Sequence, residues 1–259
     1  MGIVNVTPDS FSDGGLFLDP DAAVEHGLEL AADGAGILDV GGASTRPGAE
    51  PVPLADELAR AVPVVERLAA AGQRVSIDTT KHEVAEAALA AGATLVNDVS
   101  AFRFAPELAG LVADAGADCC LAHMRGDPQT MQSQARYDDV VGEVKSFLEE
   151  RLAFAVGEGI AEERVWLDPG IGFGKTVEHN LELLRRLDEI VAIGRPVVIG
   201  TSRKSFLGKL AGGRGEDERL PGTIATNVMA LERGAAVFRV HDVRPVADAL
   251  AIAVATVGP

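Results

Sequence analysis

Asp78, Asn97 and Asp168 each sit at or near the end of a β-branched run, where a short polar side chain can turn a hydrogen-bonding group toward a common point. Two carboxylates and an amide suit a flat ligand edge carrying several N–H donors, such as an amino-substituted nitrogen heterocycle. Lys204 would balance their charge and hydrogen-bond a ring carbonyl or nitrogen. The same carboxylates would also serve Mg²⁺, although the sequence has no tight acidic cluster of the kind an all-protein oxygen cage needs. Basic side chains stand on separate segments: Arg46, the neighbours Arg203 and Lys204, and the pair Arg239 and His241. Arg offers forked donors that match phosphate oxygens, so this set predicts a site for an anionic leaving group. His241 fits as a donor to that anion and equally as a structural histidine paired with Asp242. His123 has no second His or Cys at ligand spacing and reads as a satisfied strand-end histidine.

Such side chains meet only if the chain brings them to one face. Eight short β-branched runs, at 2–6, 36–40, 74–78, 94–99, 119–123, 164–168, 196–201 and 237–242, alternate with segments of helical periodicity. That alternation predicts an α/β fold, a (β/α)₈ TIM barrel forming one domain over 1–259, with the active site at the carboxyl ends of its strands. Nearly every run ends in polar residues: Asn5, Asp39, Asp78, Asn97 with Asp98, His123, Asp168, Thr201 with Ser202, and Arg239 with His241. Asp and Asn at strand ends also cap helices and turns, but capping does not require them at every strand. Leu54, Leu58, Val62, Val65 and Leu68 predict one buried helical face, and Leu181, Leu184, Leu187 and Val191 another. Asp19 before Pro20 reads as an N-cap, and Gly72, Gly92, Gly116 and Gly194 as helix-closing glycines. In DPGIGFGKT, the glycines at 170, 172 and 174 predict a tight turn, because the spacing is not that of a phosphate-binding P-loop. Segments 5–15 and 41–49 read as loops built to move, with Phe11 in a lid over an aromatic substrate, and 212–219 as a further mobile loop.

Composition bounds the partners. The 259 residues carry 39 Asp and Glu against 23 Lys and Arg, a net charge of -16, which argues against a broad footprint for nucleic acid or an anionic membrane. Cys119 and Cys120 are adjacent, about 3.8 Å apart at Cα, which disfavours a bridge between them; they read as reduced core residues. With no signal-like N-terminus and no apolar stretch of membrane-spanning length, a soluble cytoplasmic protein is expected.

In chain order, MGIVNVTPDSFSDGG, DVGGASTRPGA, SIDT, NDVSA, HMRGDPQTMQ, LDPGIGFGKT, GTSRKSFLG and RVHDV resemble the dihydropteroate synthases of folate biosynthesis, and the likeness runs from residue 1 to the last strand. The resemblance implies a Mg²⁺-dependent transferase, usually a homodimeric TIM barrel and the target of sulfonamides. It joins 6-hydroxymethyl-7,8-dihydropterin pyrophosphate to p-aminobenzoate by an S_N1-like path. By position, Asp78, Asn97, Met124, Asp168, Gly200 and Lys204 resemble the pterin pocket, and Asn5 the Mg²⁺-linked asparagine. Thr45, Arg46, Arg239 and His241 resemble the pyrophosphate and second-loop contacts; Phe173, Lys204 and Ser205, with Phe11 and Pro47 folding over, resemble the p-aminobenzoate site. Asp78, Asp168, Lys204 and Arg239 are the residues implied to act in catalysis, and Asp168→Asn or Arg239→Ala is expected to lose most activity while keeping the fold. Two departures stand out: Ala43 occupies a position where the family more often has Glu, and the sequence does not include the short N-terminal extension that closes the barrel bottom in many relatives, with an expected cost in stability. No insertion separates Ser44 from Pro47, so ordinary sulfonamide sensitivity is expected. A methyltetrahydrofolate-dependent methyltransferase on the same barrel would be expected to lack the SRK and RVHD sets, and a noncatalytic pterin-binding paralogue to have lost Asn5, Arg46, Lys204 or His241.

Overall fold

The computed structural model describes residues 1–7, 20–46 and 48–257; Phe11, Pro47 and Asp19 lie outside the described residues. Each β-branched run contains a parallel strand: β1 (Gly2–Asn5), β2 (Leu38–Gly41), β3 (Val75–Asp78), β4 (Leu95–Asp98), β5 (Asp118–Ala122), β6 (Val165–Asp168), β7 (Val198–Ile199) and β8 (Val237–Phe238). The first six pair side by side in chain order, and β7 pairs with β8. Two single bridges, Leu167 to Val197 and Gly2 to Val240, join these sheets on both sides and close the ring into the eight-stranded barrel that the periodicity predicts.

A strand's side chains alternate between the barrel interior and the surrounding helices, and the burial follows that rule. Leu95, Cys120, Trp166 and Val198 pack together with Ile37 as one apolar cluster. The opposite phase, including Val4, Val40, Ile77, Val96, Cys119, Leu121, Leu167 and Ile199, packs into the main core with the helices. Those helices are α1 (Pro20–Ala32), α2 (Leu54–Ala70), α3 (His82–Ala90), α4 (Leu108–Ala115), α5 (Val140–Gly157), α6 (Val177–Arg185), α7 (Leu187–Val191), α8 (Ser205–Leu210), α9 (Leu220–Glu232) and α10 (Val243–Val257). Gly72, Gly92, Gly116 and Gly194 all adopt positive φ, as helix-closing residues must.

Two helical faces differ from expectation. The buried stripe of α2 is centred on Ala61, Val64, Val65 and Leu68, while Leu54 is exposed, because the helix turns Glu57 inward. The second stripe is interrupted: α6 stops at Arg186, whose guanidinium bridges Asp139 and Glu189, and α7 restarts one residue later. The polar segment 212–219 carries a 3-10 turn at Glu216–Glu218, with Glu218 accepting hydrogen bonds from Gly215 N and Arg214. No helix among the described residues is long and apolar enough to cross a membrane.

Candidate active site

Because every strand runs the same way, its last residues and the following loops share one face, where a cavity of about 840 Å³ opens. Its wall includes Asn5, Asp78, Phe173, Gly200, Lys204, Ser205, Arg239 and His241, with Thr45 and Arg46 at the second loop. A second cavity of about 340 Å³ shares Asp78 and residues 43–45 with it and extends past Val99 and Lys81.

The floor is organised by Arg239, which follows β8. Its Nε donates to Asp39 Oδ2 at 2.6 Å and its Nη2 to Asp78 Oδ2 at 2.7 Å, across the barrel from β8 to β2 and β3. Asn97 Nδ2 adds a third hydrogen bond, to Asp39 Oδ2 at 3.0 Å. The other oxygens, Asp39 Oδ1 and Asp78 Oδ1, are buried without a protein hydrogen-bond partner, so the floor holds acceptor capacity that its own side chains leave unused. On β6, Asp168 Oδ1 accepts from Gly170 N at 2.7 Å, and Gly200 lies close by, where a Cβ would stand 4.0 Å from Asp168 Oδ2. Asp39, Asp78 and Asp168 are all buried, and Arg239, Lys204 and Lys175 oppose them. The floor therefore approaches local neutrality inside a chain of net charge -16.

Burial sets the titration of these groups. It pushes Asp78 up to about 7 despite the adjacent Arg239, and raises Asp168 against the pull of the Gly170 N–H and Lys204. Lys204 is drawn down to about 8 by burial and by Arg239. Arg239 itself rises, because Asp39 and Asp78 outweigh the cost of its burial.

Lys204 occupies the N-cap position of α8, makes no capping hydrogen bond, and turns its ammonium to 4.1 Å from the centre of the Phe173 ring. Phe173 packs against a small cluster of Val99, Met124 and Met131, which places Met124 behind that ring. His241 is not paired with Asp242. Its backbone N–H donates to Ser202 Oγ at 3.1 Å and its Nδ1 lies 2.9 Å from the same hydroxyl. Burial, with Arg239 and Arg203 nearby, holds His241 down to about 3, so the ring is neutral and shares one hydrogen bond with Ser202 through Nδ1. Arg203 is engaged elsewhere, in a bidentate pair with Asp242 at 2.6 and 3.0 Å, and is not a free anion contact. Arg46 stands at the mouth, 3.0 Å from Glu216.

Several organising residues escape a reading of the sequence. Lys175 is buried, with Nζ 2.8 Å from His123 Nδ1, 2.9 Å from Gly170 O and 3.1 Å from Phe173 O. Glu57, 1% exposed, accepts from Thr79 Oγ1 and from Lys81 Nζ, both at 2.6 Å, and Lys81 also holds the Val52 carbonyl at the end of the second loop. Asp98 follows the capping alternative, accepting from Ser100 N and Phe102 N. An Asp or Lys next to a turn carries no mark of which distant partner it meets.

No group of three or more His, Cys, Asp or Glu side chains able to hold a metal occurs among the described residues. Asn5 lines the same cavity as Arg46 and His241, and a single amide ligand there fits a cation held mainly by phosphate oxygens rather than by protein.

The family described as pterin binding enzyme matches residues 1–241. A dihydropteroate synthase of Mycobacterium leprae is 49% identical over 97% of this chain and 91% of its own length. Among solved structures, the Xanthomonas albilineans dihydropteroate synthase with 4-aminobenzoic acid superposes at a TM-score of 0.93, with 47% identity over 100% of this chain and 93% of that one. The Yersinia pestis dihydropteroate synthase in a sulfonamide drug complex superposes at 0.95, with 42% identity over 99% and 93%.

Proposed function

The chain belongs to the dihydropteroate synthases, within the pterin binding enzymes, and from that premise we propose how its residues divide the transfer of a dihydropterinylmethyl group to the amine of p-aminobenzoate. Residues 1–259 act as one pterin-binding domain. The pterin lies on the floor, its N–H edge toward Asp78, Asn97 and Asp168, with Lys204 at a ring acceptor and Gly200 and Met124 along its faces. The unpartnered Asp78 Oδ1 is the observation that carries this reading, since a buried carboxylate oxygen calls for a donor. Arg239, His241 and Arg46 hold the pyrophosphate. For Arg46 this means leaving Glu216, an exposed pair worth at most about 1 kcal/mol. Phe173, Ser205 and Thr45 border the p-aminobenzoate; Phe11 and Pro47 complete that site in the same proposal.

In the reaction the methylene C–O bond breaks and its electron pair leaves with pyrophosphate. Positive character on the methylene is stabilised by the Asp78 and Asp168 carboxylates, the arylamine nitrogen supplies the pair for the new C–N bond, and its proton passes to solvent. No residue serves as a covalent nucleophile. Asn5, together with the pyrophosphate oxygens, would hold Mg²⁺, which when bound would neutralise charge on the leaving group. The enzyme works in the cytoplasm as a homodimer.

Pyrophosphate release measured with each substrate and Mg²⁺ omitted in turn tests the scheme. Release should require all three and be competed by sulfonamide against p-aminobenzoate; turnover without Mg²⁺, or a sulfonamide that does not compete, would overturn the corresponding assignment.

A further inference from the structure

Lys175 is the most enclosed cation of the molecule's active face, and nothing in the transfer chemistry above uses it. Its ammonium has three protons and meets three acceptors at 2.8 to 3.1 Å, with the His123 carbonyl a fourth at 3.4 Å. Three of the four are carbonyl oxygens, which only accept, so the pocket suits a group rich in donors. The partners come from two places: His123 at the end of β5, and the Gly170–Phe173 turn after β6. That turn is drawn hard against His123, since a Cβ at Gly170 would lie 1.8 Å from the His123 carbonyl oxygen. His123 is fixed in its own right, its ring edge-on to Phe147 at 4.8 Å.

We propose that Lys175 is a positioning residue of the transfer reaction: by tying the Gly170–Phe173 turn to His123 it sets both the Gly170 N–H against Asp168 and the Phe173 ring against Lys204. One ammonium thus aligns a group assigned to each substrate. The inference rests on the assignment of Asp168 to the pterin and Phe173 to p-aminobenzoate. It adds a charge effect, because Asp168 is faced by Lys175 from its own loop, by Lys204 after β7, by Arg239 after β8 and by the Cys120 thiol on β5. Burial draws Lys175 down to about 7 against the pull of Asp168, so it is cationic over the acidic range in which Asp168 would take up a proton. His123, driven well below its ordinary value by burial and by Lys175, stays neutral there and presents its Nδ1 lone pair.

The test is Lys175→Met in the full-length enzyme, with kcat and KM for both substrates followed against pH at a temperature well below the melting transition. The expected result is a rise of about tenfold in KM for p-aminobenzoate with kcat changed less than about threefold. Within the acid limb of kcat/KM for the pterin, the step that belongs to Asp168, as distinct from that of Asp78, should also move to higher pH. Unchanged KM values and an unmoved step in a folded variant would overturn the proposal. Lys175→Gln, which keeps two N–H donors without charge, should recover the KM for p-aminobenzoate in part and leave the step displaced. If neither variant folds, nitrogen NMR of His123 in the unaltered enzyme decides: Nδ1 must be unprotonated, and a ring titrating between pH 5 and 8 would refute the arrangement. Asp168→Asn retaining full turnover would instead undo the underlying site assignment, whatever Lys175 does.

Discussion

At the scale of single residues, the active face works because carboxylates and cations perturb one another inside a space too dry to screen them. Asp78, held up near 7, is ionised only above that pH, and Lys204, held down near 8, is cationic only below its own. If both charged forms are needed, kcat/KM for the pterin is bell-shaped, falling below about 7 and above about 8, and Lys204→Arg removes the alkaline fall while a flat profile would refute the pairing of roles. Arg239 also has a structural duty that its position in the sequence conceals. Arg239→Ala strands Asp39 and Asp78, so the structure revises the expectation of an intact fold: a loss of about 3–5 kcal/mol accompanies the loss of activity, read from denaturant melts. Asp168→Asn, whose amide oxygen can still accept from Gly170 N, should keep its stability and lose most turnover.

At the scale of elements, the loop after β6 is the most constrained piece of the site. Gly170 has φ of 67° and no room for a Cβ, whereas Gly194 has φ of 88° and open space around it. Gly194→Ala should therefore cost only the left-handed penalty of about 1–2 kcal/mol, while Gly170→Ala should also displace Lys175 and Phe173 and lower the melting temperature much further. The eight strands were legible because a parallel strand buried on both faces writes a short β-branched run, and the helix ends were legible through Gly72, Gly92, Gly116 and Gly194. The stop at Arg186 was not, since Leu181 to Val191 keeps helical spacing across a break made by Arg186 bonding Asp139, which lies 47 residues away in the chain. Glu57 with Lys81 and Lys175 with His123 were illegible for the same reason: each depends on a partner brought by the barrel, not by its neighbours in sequence.

At the scale of the whole molecule, acidity and function are kept apart. The charge of -16 coexists with a floor where Arg239, Lys204 and Lys175 oppose Asp39, Asp78 and Asp168, so anionic substrates meet a locally balanced surface. The ring itself has two thin joints, since β7 and β8 meet the six-stranded arc through one bridge on each side. Asp78, Asn97 and Asp168 stand on the arc, and Lys204, Arg239 and His241 on the two-stranded segment or its loops, so a substrate bound as proposed would act as a keystone spanning both joints. Amides at those joints, Ile3, Leu167 and Val240, should exchange with deuterium sooner than those inside the arc, and slow when the pterin binds.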